Sequence, residues 1–322
     1  MKLKHFLFLT LFFLASCRDD DGNTSPCELA ESNNVVDEPP QTIALSVNPN
    51  NPDEVAILIR DNSTCCDQEL VIFNLSTKET RKIYNGRPIE IDWGAKDWIL
   101  FLTQEGGLDY RIYKIRPSGD SLSLLQSDSI PTHISWNKIG DQFLYTSSPI
   151  QSNNYTFTIA NTDGTTLKYT ENPSIFDLEW HHDSYMTTAF HHSEIFYSIK
   201  IYDNELFFNA STNSKIAELD IPSIGFGRQA DWLDDQTMII SASSGFYTVD
   251  FSDLANPGEL TLIRTNDCPS INPPWFTVHR ATKKVIAQYF ELEKVGNKVV
   301  RHTKLMRMNE DGSGVEIFEV PD

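Results

Sequence analysis

The chain has 322 residues, of which 40% are hydrophobic, 11% aromatic and 22% charged. This composition is typical of a folded globular protein and excludes a chain that is disordered throughout. The 45 Asp and Glu residues against 26 Lys and Arg residues give a formal net charge of -19, and so acidic a surface repels nucleic acid, which excludes it as the main partner.

The first 16 residues have the pattern of a secretory signal peptide. Lys2 and Lys4 form a short basic segment, and an apolar run follows from Phe6 to Ala15. A helix needs about 20 apolar residues to span a bilayer, so this run is too short to be a transmembrane helix. The sequence predicts that residues 1–16 are removed on export.

The end of the apolar run resembles the lipobox of bacterial lipoproteins, with the sequence Leu14-Ala15-Ser16-Cys17. The resemblance implies cleavage before Cys17 and attachment of acyl chains, palmitate among them, to that residue. Such chains hold a protein at a membrane without a transmembrane segment, so we expect contact with the membrane through the anchor alone. The alternative is an ordinary secretory signal with an incidental cysteine at this position.

Residues 17–40 are predicted to be a flexible, lipid-anchored linker, because they are polar and show no sustained apolar periodicity. The linker includes Arg18-Asp19-Asp20-Asp21, which resembles the acidic tether that directs lipoproteins of Bacteroidota-type bacteria to the outer face of the outer membrane. A solvated spacer is the other interpretation. We expect a protein of the bacterial outer membrane that is either periplasmic or surface-exposed.

From about residue 41 the chain repeats one pattern of short strands. Five tryptophans each close a predicted strand at intervals of 43 to 52 residues, and Val47 takes the same place upstream: Trp93, Trp136, Trp180, Trp232 and Trp275. Three further short strands follow each of them. Four short strands per unit are typical of a β-propeller blade, whereas a helical solenoid would show a 3.6-residue period. Six units predict an all-β fold, a six-bladed β-propeller of four-stranded antiparallel blades over residues 41–322.

The units resemble the TolB-type propeller repeat, a WD40-like unit. The segments Ile134-Ser135-Trp136-Asn137, Asp141–Thr146 and Ile159–Gly164 are similar to its Trp-containing turn, its buried strand and its strand that ends in Asp-Gly. The resemblance implies a TolB-like ring over residues 41–320, although other residues replace the family's Pro-Asp-Gly turn. We expect the tryptophans to fill the space between neighbouring blades.

Four cysteines remain besides the lipid-attachment residue: Cys27, Cys65, Cys66 and Cys268. An even number in an exported protein predicts two disulfides. Because blades 1 and 6 are neighbours in the ring, Cys268 is expected to pair with Cys65 or Cys66, and Cys27 with the other one. Such a bond would close a ring in which the sequence shows no spare strand. The alternatives are a strained vicinal bond between Cys65 and Cys66 and a metal site, for which the usual CxxC spacing is missing.

The sequence predicts neither a catalytic residue nor a cofactor. It contains no GxSxG elbow, no HExxH helix and no Walker loop, and therefore does not favour an enzyme. The pairs His181-His182 and His191-His192 suggest a metal site, but the intervening strand would hold them about 25 Å apart. We therefore predict no metal ion and solvated loop histidines.

The loops before each first strand and after each second strand form the expected ligand-binding face of the ring. Phe226 and Arg228 lie in a long apolar loop on this face, and His191 and His192 follow the second strand of blade 4. Arg228 is expected to receive a carboxylate from a peptide terminus or an acidic sugar. The other interpretation is a solvated arginine, or one paired with Asp231.

Together these patterns predict a non-catalytic, lipid-anchored β-propeller of the cell envelope that acts as a scaffold for an envelope protein or peptide. The alternative is a carbohydrate-binding lipoprotein, or a polysaccharide lyase that uses the central channel. An aromatic platform on the loop face would favour a glycan, and a broad apolar patch would favour a protein partner.

Overall fold

The computed structural model describes residues 27, 35–38, 40–60, 68–107, 109–127, 130–148, 155–172, 178–180, 182, 184–188, 198–209, 214–220, 227–266, 268, 274–296 and 298–320. Six residues with predicted roles lie outside these ranges: Cys17, Cys65, Cys66, His191, His192 and Phe226.

Six antiparallel sheets follow one another along the chain, each with its four strands paired in chain order. A short strand, β1 (Val35–Asp37), precedes them. Blade 1 consists of β2 (Gln41–Asn48), β3 (Asn51–Arg60), β4 (Gln68–Asn74) and β5 (Thr80–Gly86). Blade 2 consists of β6 (Pro88–Gly94), β7 (Trp98–Gly106), β8 (Asp109–Ile115) and β9 (Ser123–Gln126). Blade 3 consists of β10 (Ile130–Trp136), β11 (Gln142–Ser148), β12 (Tyr155–Asn161) and β13 (Thr166–Asn172).

The second half of the ring repeats this arrangement. Blade 4 consists of β14 (Leu178–Glu179), β15 (Tyr185–Thr188), β16 (Ser198–Asp203), the short helix α1 (Asn204–Phe208) and β17 (Lys215–Asp220). Blade 5 consists of β18 (Gly227–Trp232), β19 (Thr237–Ala242), β20 (Gly245–Asp250) and β21 (Thr261–Thr265). Blade 6 consists of β22 (Phe276–His279), β23 (Lys284–Val295), β24 (Lys298–Met308) and β25 (Glu316–Glu319). The predicted all-β, six-bladed propeller is confirmed. Within the described ranges, no helix has both the length and the apolar character needed to cross a membrane.

The middle strands of the blades are apolar on both faces, because each blade packs between two others. Residues 55–59 of β3 and 99–102 of β7 are buried without interruption. Continuous apolar runs are expected in strands that are covered on both faces. The outermost strands carry exposed side chains instead, among them Leu124 in β9 and Leu262 in β21. The core therefore consists of layers between the blades.

Four of the repeat tryptophans lie between neighbouring blades, as predicted. Each is at most 4% exposed and belongs to the apolar cluster that its blade shares with the preceding one: Trp93, Trp136, Trp180 and Trp232. The assignment of Trp275 to this position is wrong. Val278 pairs with Val285 in the first hairpin of blade 6, as Trp136 pairs with Phe143 in blade 3. Val278 therefore takes the tryptophan position, and Trp275 lies three residues before it.

The N-terminal segment is attached to the last blade by a strand. β1 runs parallel to β24, with Val35 opposite Val299. Beside this short ladder, Asp37 forms an ion pair with Arg301. Residues 35–37 therefore belong to the folded ring, and the prediction that all of residues 17–40 are a flexible linker is wrong at this point.

A disulfide joins the same segment to blade 6. Cys27 is bonded to Cys268, with 5.4 Å between their Cα atoms. The expected pairing of Cys268 with Cys65 or Cys66 is therefore wrong. The reason is that β1 carries the N-terminal segment to blade 6, which the sequence did not reveal because β1 has only three residues. Strand and disulfide both attach the N-terminal segment to blade 6, and Cys268 lies beside residues of blades 5 and 6.

Candidate functional site

Polar side chains line the central channel at one level of the innermost strands. They occupy the position just before the repeat tryptophan, or before its counterpart in blades 1 and 6, and we call them the channel belt: Ser46, Asp92, Ser135, Glu179, Asp231 and Thr277. All six are buried or nearly so. An innermost strand has no strand partner on its channel side, so its backbone N–H groups there need other acceptors.

The channel belt supplies such acceptors from one blade to the next. The Ser46 hydroxyl accepts a hydrogen bond from the Trp93 N–H at 2.9 Å, and the Asp92 carboxylate accepts one from the Trp136 N–H at 2.6 Å. The Ser135 hydroxyl does the same for the Trp180 N–H at 2.9 Å. In blade 6 the Thr277 hydroxyl accepts from the Val47 N–H of blade 1 at 3.2 Å, so the same rule operates across the closure of the ring.

Two residues before the channel belt on the innermost strands, side chains from different blades meet inside the channel. Glu90 of blade 2 forms an ion pair with the His133 imidazole of blade 3, and the Gln229 side chain accepts from the Phe276 N–H at 2.9 Å. The cavity at this level measures only about 80 Å³. Among the described residues, no three His, Cys, Asp or Glu side chains are grouped so that they could hold a metal ion.

The innermost strands bulge at equivalent positions as they enter the channel. An extra residue interrupts the pairing with the second strand in blades 1, 2, 3 and 5: Ile43, Ile89, Thr132 and Arg228. Bulges bend a strand and are common next to binding sites. The backbone of Arg228 forms the bulge at the start of β18, whereas its side chain is outside the described part of the structure. Its proposed alternative partner, Asp231, has a carboxylate oxygen 3.5 Å from the Arg280 guanidinium.

A cavity on the predicted ligand-binding face lies over the closure of the ring, between blades 6 and 1. It measures about 460 Å³, and we call it the seam cavity. It lies where β2 and β6 begin and β3 ends, and blade 6 forms its opposite wall. Its lining includes three residues of blade 1 and three of blade 6: Thr42, Arg60, Gln68, Trp275, Phe290 and Arg301.

Blade 1 contributes a row of polar side chains to the seam cavity. Arg60 at the end of β3 lies opposite Gln41 of β2 and opposite Gln68 of β4. Residues that face each other across neighbouring strands carry their side chains on the same side of the sheet. The three side chains therefore stand next to one another at the end of the blade.

Three buried polar atoms of this wall have no hydrogen-bond partner within the described part of the chain: Thr42 Oγ1, Arg60 Nε and Gln68 Oε1. Thr42 and Gln68 are only 4% and 7% exposed. A buried polar group without a partner costs about 1–3 kcal/mol. Such atoms on the wall of a cavity are candidates for contact with a ligand.

Blade 6 contributes aromatic and cationic groups to the seam cavity. The Arg301 guanidinium lies 4.9 Å from the centre of the Phe290 ring and is held by Asp37. The Gln288 side chain accepts from the Trp275 N–H at 3.0 Å and donates to the Thr42 carbonyl. Both ends of the Gln288 amide are therefore engaged, and this residue ties the wall of blade 6 to that of blade 1.

Sequence reasoning missed the seam cavity. Its walls come from residues more than 200 positions apart, and Trp275 was assigned to the space between blades. One sequence signal was available. Trp275 follows two prolines and lies nine residues before the next strand, whereas the other repeat tryptophans lie five or six residues before theirs.

The opposite mouth of the channel has a cavity of about 260 Å³ between the turns that join first and second strands. His182, one of the paired histidines in the sequence, lies in such a turn. It is 7% exposed and stacks on Tyr185, with 4.6 Å between ring centres. Burial lowers its pKa. His182 is thus a core residue, contrary to the expected solvated loop histidine, while His181 is outside the described residues.

No protein-family model matches the chain, and no curated protein matches it. Solved structures do. TolB from Acinetobacter baumannii is 14% identical, with a TM-score of 0.57 over 84% of this chain and 64% of that chain. The β-propeller domain of the Trilobed protease from Pyrococcus furiosus, which has an open velcro topology, is 13% identical, with a TM-score of 0.55 over 88% of this chain and 100% of that chain.

An acylaminoacyl peptidase from Pyrococcus horikoshii is 13% identical, with a TM-score of 0.52 over 88% of this chain and 46% of that chain. The chain thus spans about two thirds of the TolB chain and about half of the peptidase. The fold is a six-bladed propeller similar to that of TolB. Likeness at such identities concerns the fold alone.

Proposed function

We propose that this TolB-like propeller is a non-catalytic, lipid-anchored protein of the bacterial cell envelope that binds a protein or peptide on the face with the seam cavity. The observation that carries the proposal is the cavity itself, because buried polar atoms without partners stand beside Trp275 and Phe290. Binding sites for small groups combine apolar walls with a few polar atoms in this way.

The chemistry of the channel supports binding rather than catalysis. The Asp92 carboxylate accepts from the Trp136 N–H and lies 3.4 Å from the Ser46 hydroxyl. Asp92 serves as the acceptor for a backbone N–H group of the next blade. A carboxylate held in this way is poorly placed to act on a substrate. The small volume of the channel at this level points in the same direction.

A carbohydrate ligand is the second candidate, favoured by the aromatic rings of Trp275 and Phe290 on the loop face. Aromatic rings suit the apolar faces of sugars as well as side chains of peptides. The two candidate ligands differ in their polar groups. A peptide presents amide groups and a terminal carboxylate, whereas a glycan presents many hydroxyl groups, so binding experiments with both kinds of ligand distinguish them.

The proposed function is tested by cross-linking in intact cells, followed by detergent extraction and mass spectrometry. We expect one envelope protein to be captured reproducibly by the wild type, less by Cys17→Ala because the anchor is lost, and not by Trp275→Ala. Tyr169→Ala is the matched control, because this aromatic side chain is 69% exposed on the outermost strand of blade 3. Absence of any captured protein, or equal capture by Trp275→Ala, would contradict the proposal.

A further inference from the structure

We infer that the seam cavity binds the C-terminal residue of a peptide or protein, with the terminal carboxylate at Arg60 and the last side chain against Trp275 and Phe290. The inference rests on the proposed function and adds to it the chemical class of the ligand. It follows from the charge, the unpartnered polar atoms and the aromatic wall of the cavity.

The charge of the cavity is opposite to that of the whole chain. Two arginines and no acidic side chain line it among the described residues, although the chain has a net charge of -19. Arg301 is already paired with Asp37, whereas Arg60 Nε has no partner in the described ranges. A guanidinium can bind a carboxylate through two parallel hydrogen bonds, so Arg60 is the side chain that would bind the carboxylate of an anionic ligand.

The side chain next to Arg60 indicates which further polar group the ligand should carry. Gln68 lies directly opposite Arg60 in the ladder between β3 and β4, and its Oε1 is a buried acceptor without a partner. Paired residues in an antiparallel ladder are about 5 Å apart. A C-terminal residue carries its carboxylate and its amide N–H on either side of one Cα atom. It therefore offers an acceptor group to Arg60 and a donor to Gln68 at matching positions.

The small number of unpartnered polar atoms in the seam cavity disfavours a sugar as the ligand. A uronate also has a carboxylate, but each of its hydroxyl groups requires a further partner when it is buried. Only Thr42, Arg60 and Gln68 contribute unpartnered buried side-chain atoms to the described wall of the cavity. The Gln288 amide is engaged at both ends. The remaining wall combines polar Gln41 and Thr303 with an apolar part, and this apolar part suits a side chain next to the carboxylate: Ile43, Ile89, Trp275 and Phe290.

The size of the cavity agrees with one or two terminal residues of a peptide. Its volume of about 460 Å³ lies in the range of about 300–1,000 Å³ that is typical of sites for small ligands.

Fluorescence anisotropy tests the inference with the full chain and N-terminally labelled Gly-Gly-Gly-Ala-Phe, once with a free C-terminal carboxylate and once as the amide. We expect the free acid to bind about tenfold more tightly or better, because a hydrogen bond to a charged group is lost in the amide. Arg60→Gln should remove this preference, and Gln68→Leu should weaken the binding of the acid. Arg81→Gln is the matched control, because Arg81 is an exposed arginine of the same blade.

Circular dichroism and thermal unfolding establish that each variant is folded, and Gln68→Leu tests the site independently of Arg60. Equal affinity for acid and amide, a preference for the acid that persists in Arg60→Gln, or no binding of either peptide would overturn the inference. Tighter binding of a galacturonate trimer than of the peptide acid would also overturn it, in favour of an acidic glycan. In the cross-linking experiment, an envelope protein that Arg60→Gln still captures would overturn this inference and leave the proposed function standing.

Discussion

Two buried histidines make the stability of the ring dependent on pH. His182 accepts a hydrogen bond from the Ser184 N–H at 3.1 Å, and His279 lies 2.7 Å from the Thr282 hydroxyl. Burial lowers the pKa of both imidazoles. In the unfolded chain they titrate near 6.5, so below about pH 6.5 the unfolded state binds more protons than the folded one.

We therefore expect the melting temperature to fall as the pH is lowered from about 7 to 5, and His182→Gln to reduce this fall. Tyr169→Ala, an exposed substitution that leaves every histidine in place, is the control and should leave the fall unchanged. Thermal unfolding at several pH values makes the comparison. A wild-type melting temperature that does not change over this range would contradict the prediction.

Carboxylates act in a separate and lower pH range. Burial raises the pKa of Asp234, but hydrogen bonds from Lys283 and from the N–H groups of Gln236 and Thr237 outweigh it and lower this pKa to about 2. A lowered carboxyl pKa adds stability that is lost only as the pH falls below about 3.9. The two effects are therefore distinguishable in one titration.

A single residue of the channel belt should have a measurable effect on folding. Asp92→Ala removes the acceptor of the buried Trp136 N–H, and we expect it to lower the free energy of unfolding by about 1–3 kcal/mol. Asp92→Asn retains an acceptor and should cost less. Urea unfolding measures both, with the exposed Asp120→Ala as a control expected to change stability by less than about 0.5 kcal/mol. Equal stability of Asp92→Ala and the control would contradict the structural role of the belt.

At the scale of elements, the N-terminal segment is attached to blade 6 both by β1 and by a disulfide. The disulfide between Cys27 and Cys268 joins residues 241 positions apart, and such a bond restricts the unfolded chain strongly. We expect the double variant Cys27→Ser with Cys268→Ser to be less stable by about 2–4 kcal/mol. Urea unfolding of the wild type with and without a reductant provides the control, since reduction should reproduce the loss and leave the double variant unchanged.

The sequence predicted the blades well and their closure poorly, for a physical reason. A blade is a local unit, and its buried strands and its tryptophan recur along the chain where periodicity can be read. β1 has three residues and pairs with β24, more than 260 positions away, so no local sequence pattern indicates that it is a strand. Trp275 was misplaced for a related reason, because its position in the repeat depends on the pairing of Val278 with Val285.

The same distinction explains why the candidate site was only partly predictable. The face proposed for binding follows from the topology of a propeller, so it could be named from the sequence and stays a prediction. The seam cavity depends on Arg60 and Gln68 meeting Phe290 and Arg301 across the closure. Each of these residues alone resembles an ordinary side chain near a strand end, and their meeting is a property of the tertiary structure.

At the scale of the whole molecule, the boundary between blades 6 and 1 combines several kinds of contact. An apolar cluster includes Ile57 and Val55 of blade 1 with Ile286 and Leu305 of blade 6. Arg307 of blade 6 forms an ion pair with Asp53 of blade 1. These contacts do not involve the N-terminal segment, which is attached to blade 6 separately.

We expect a chain that begins at residue 41 to fold into the ring but to open more readily between blades 6 and 1. Hydrogen exchange measured by mass spectrometry should become faster in β24, because it loses its partner strand β1. It should also become faster in β2, because the chain before it is no longer tied to blade 6. The middle strands of blade 3, β11 and β12, are the internal control and should be unaffected. Uniformly faster exchange in all blades, or none, would contradict a local role of the N-terminal segment.

The disulfide at Cys27 also fixes how far the ring can move from the membrane. With Cys17 acylated as proposed, only nine residues lie between it and the disulfide-bonded Cys27, and this stretch of chain reaches at most about 35 Å. A free linker as far as residue 40 would reach about 80 Å. Because Cys268 precedes β22 on the side of the seam cavity, that side of the ring stays close to the bilayer. A partner must then approach along the membrane surface, at a height set by a short stretch of chain.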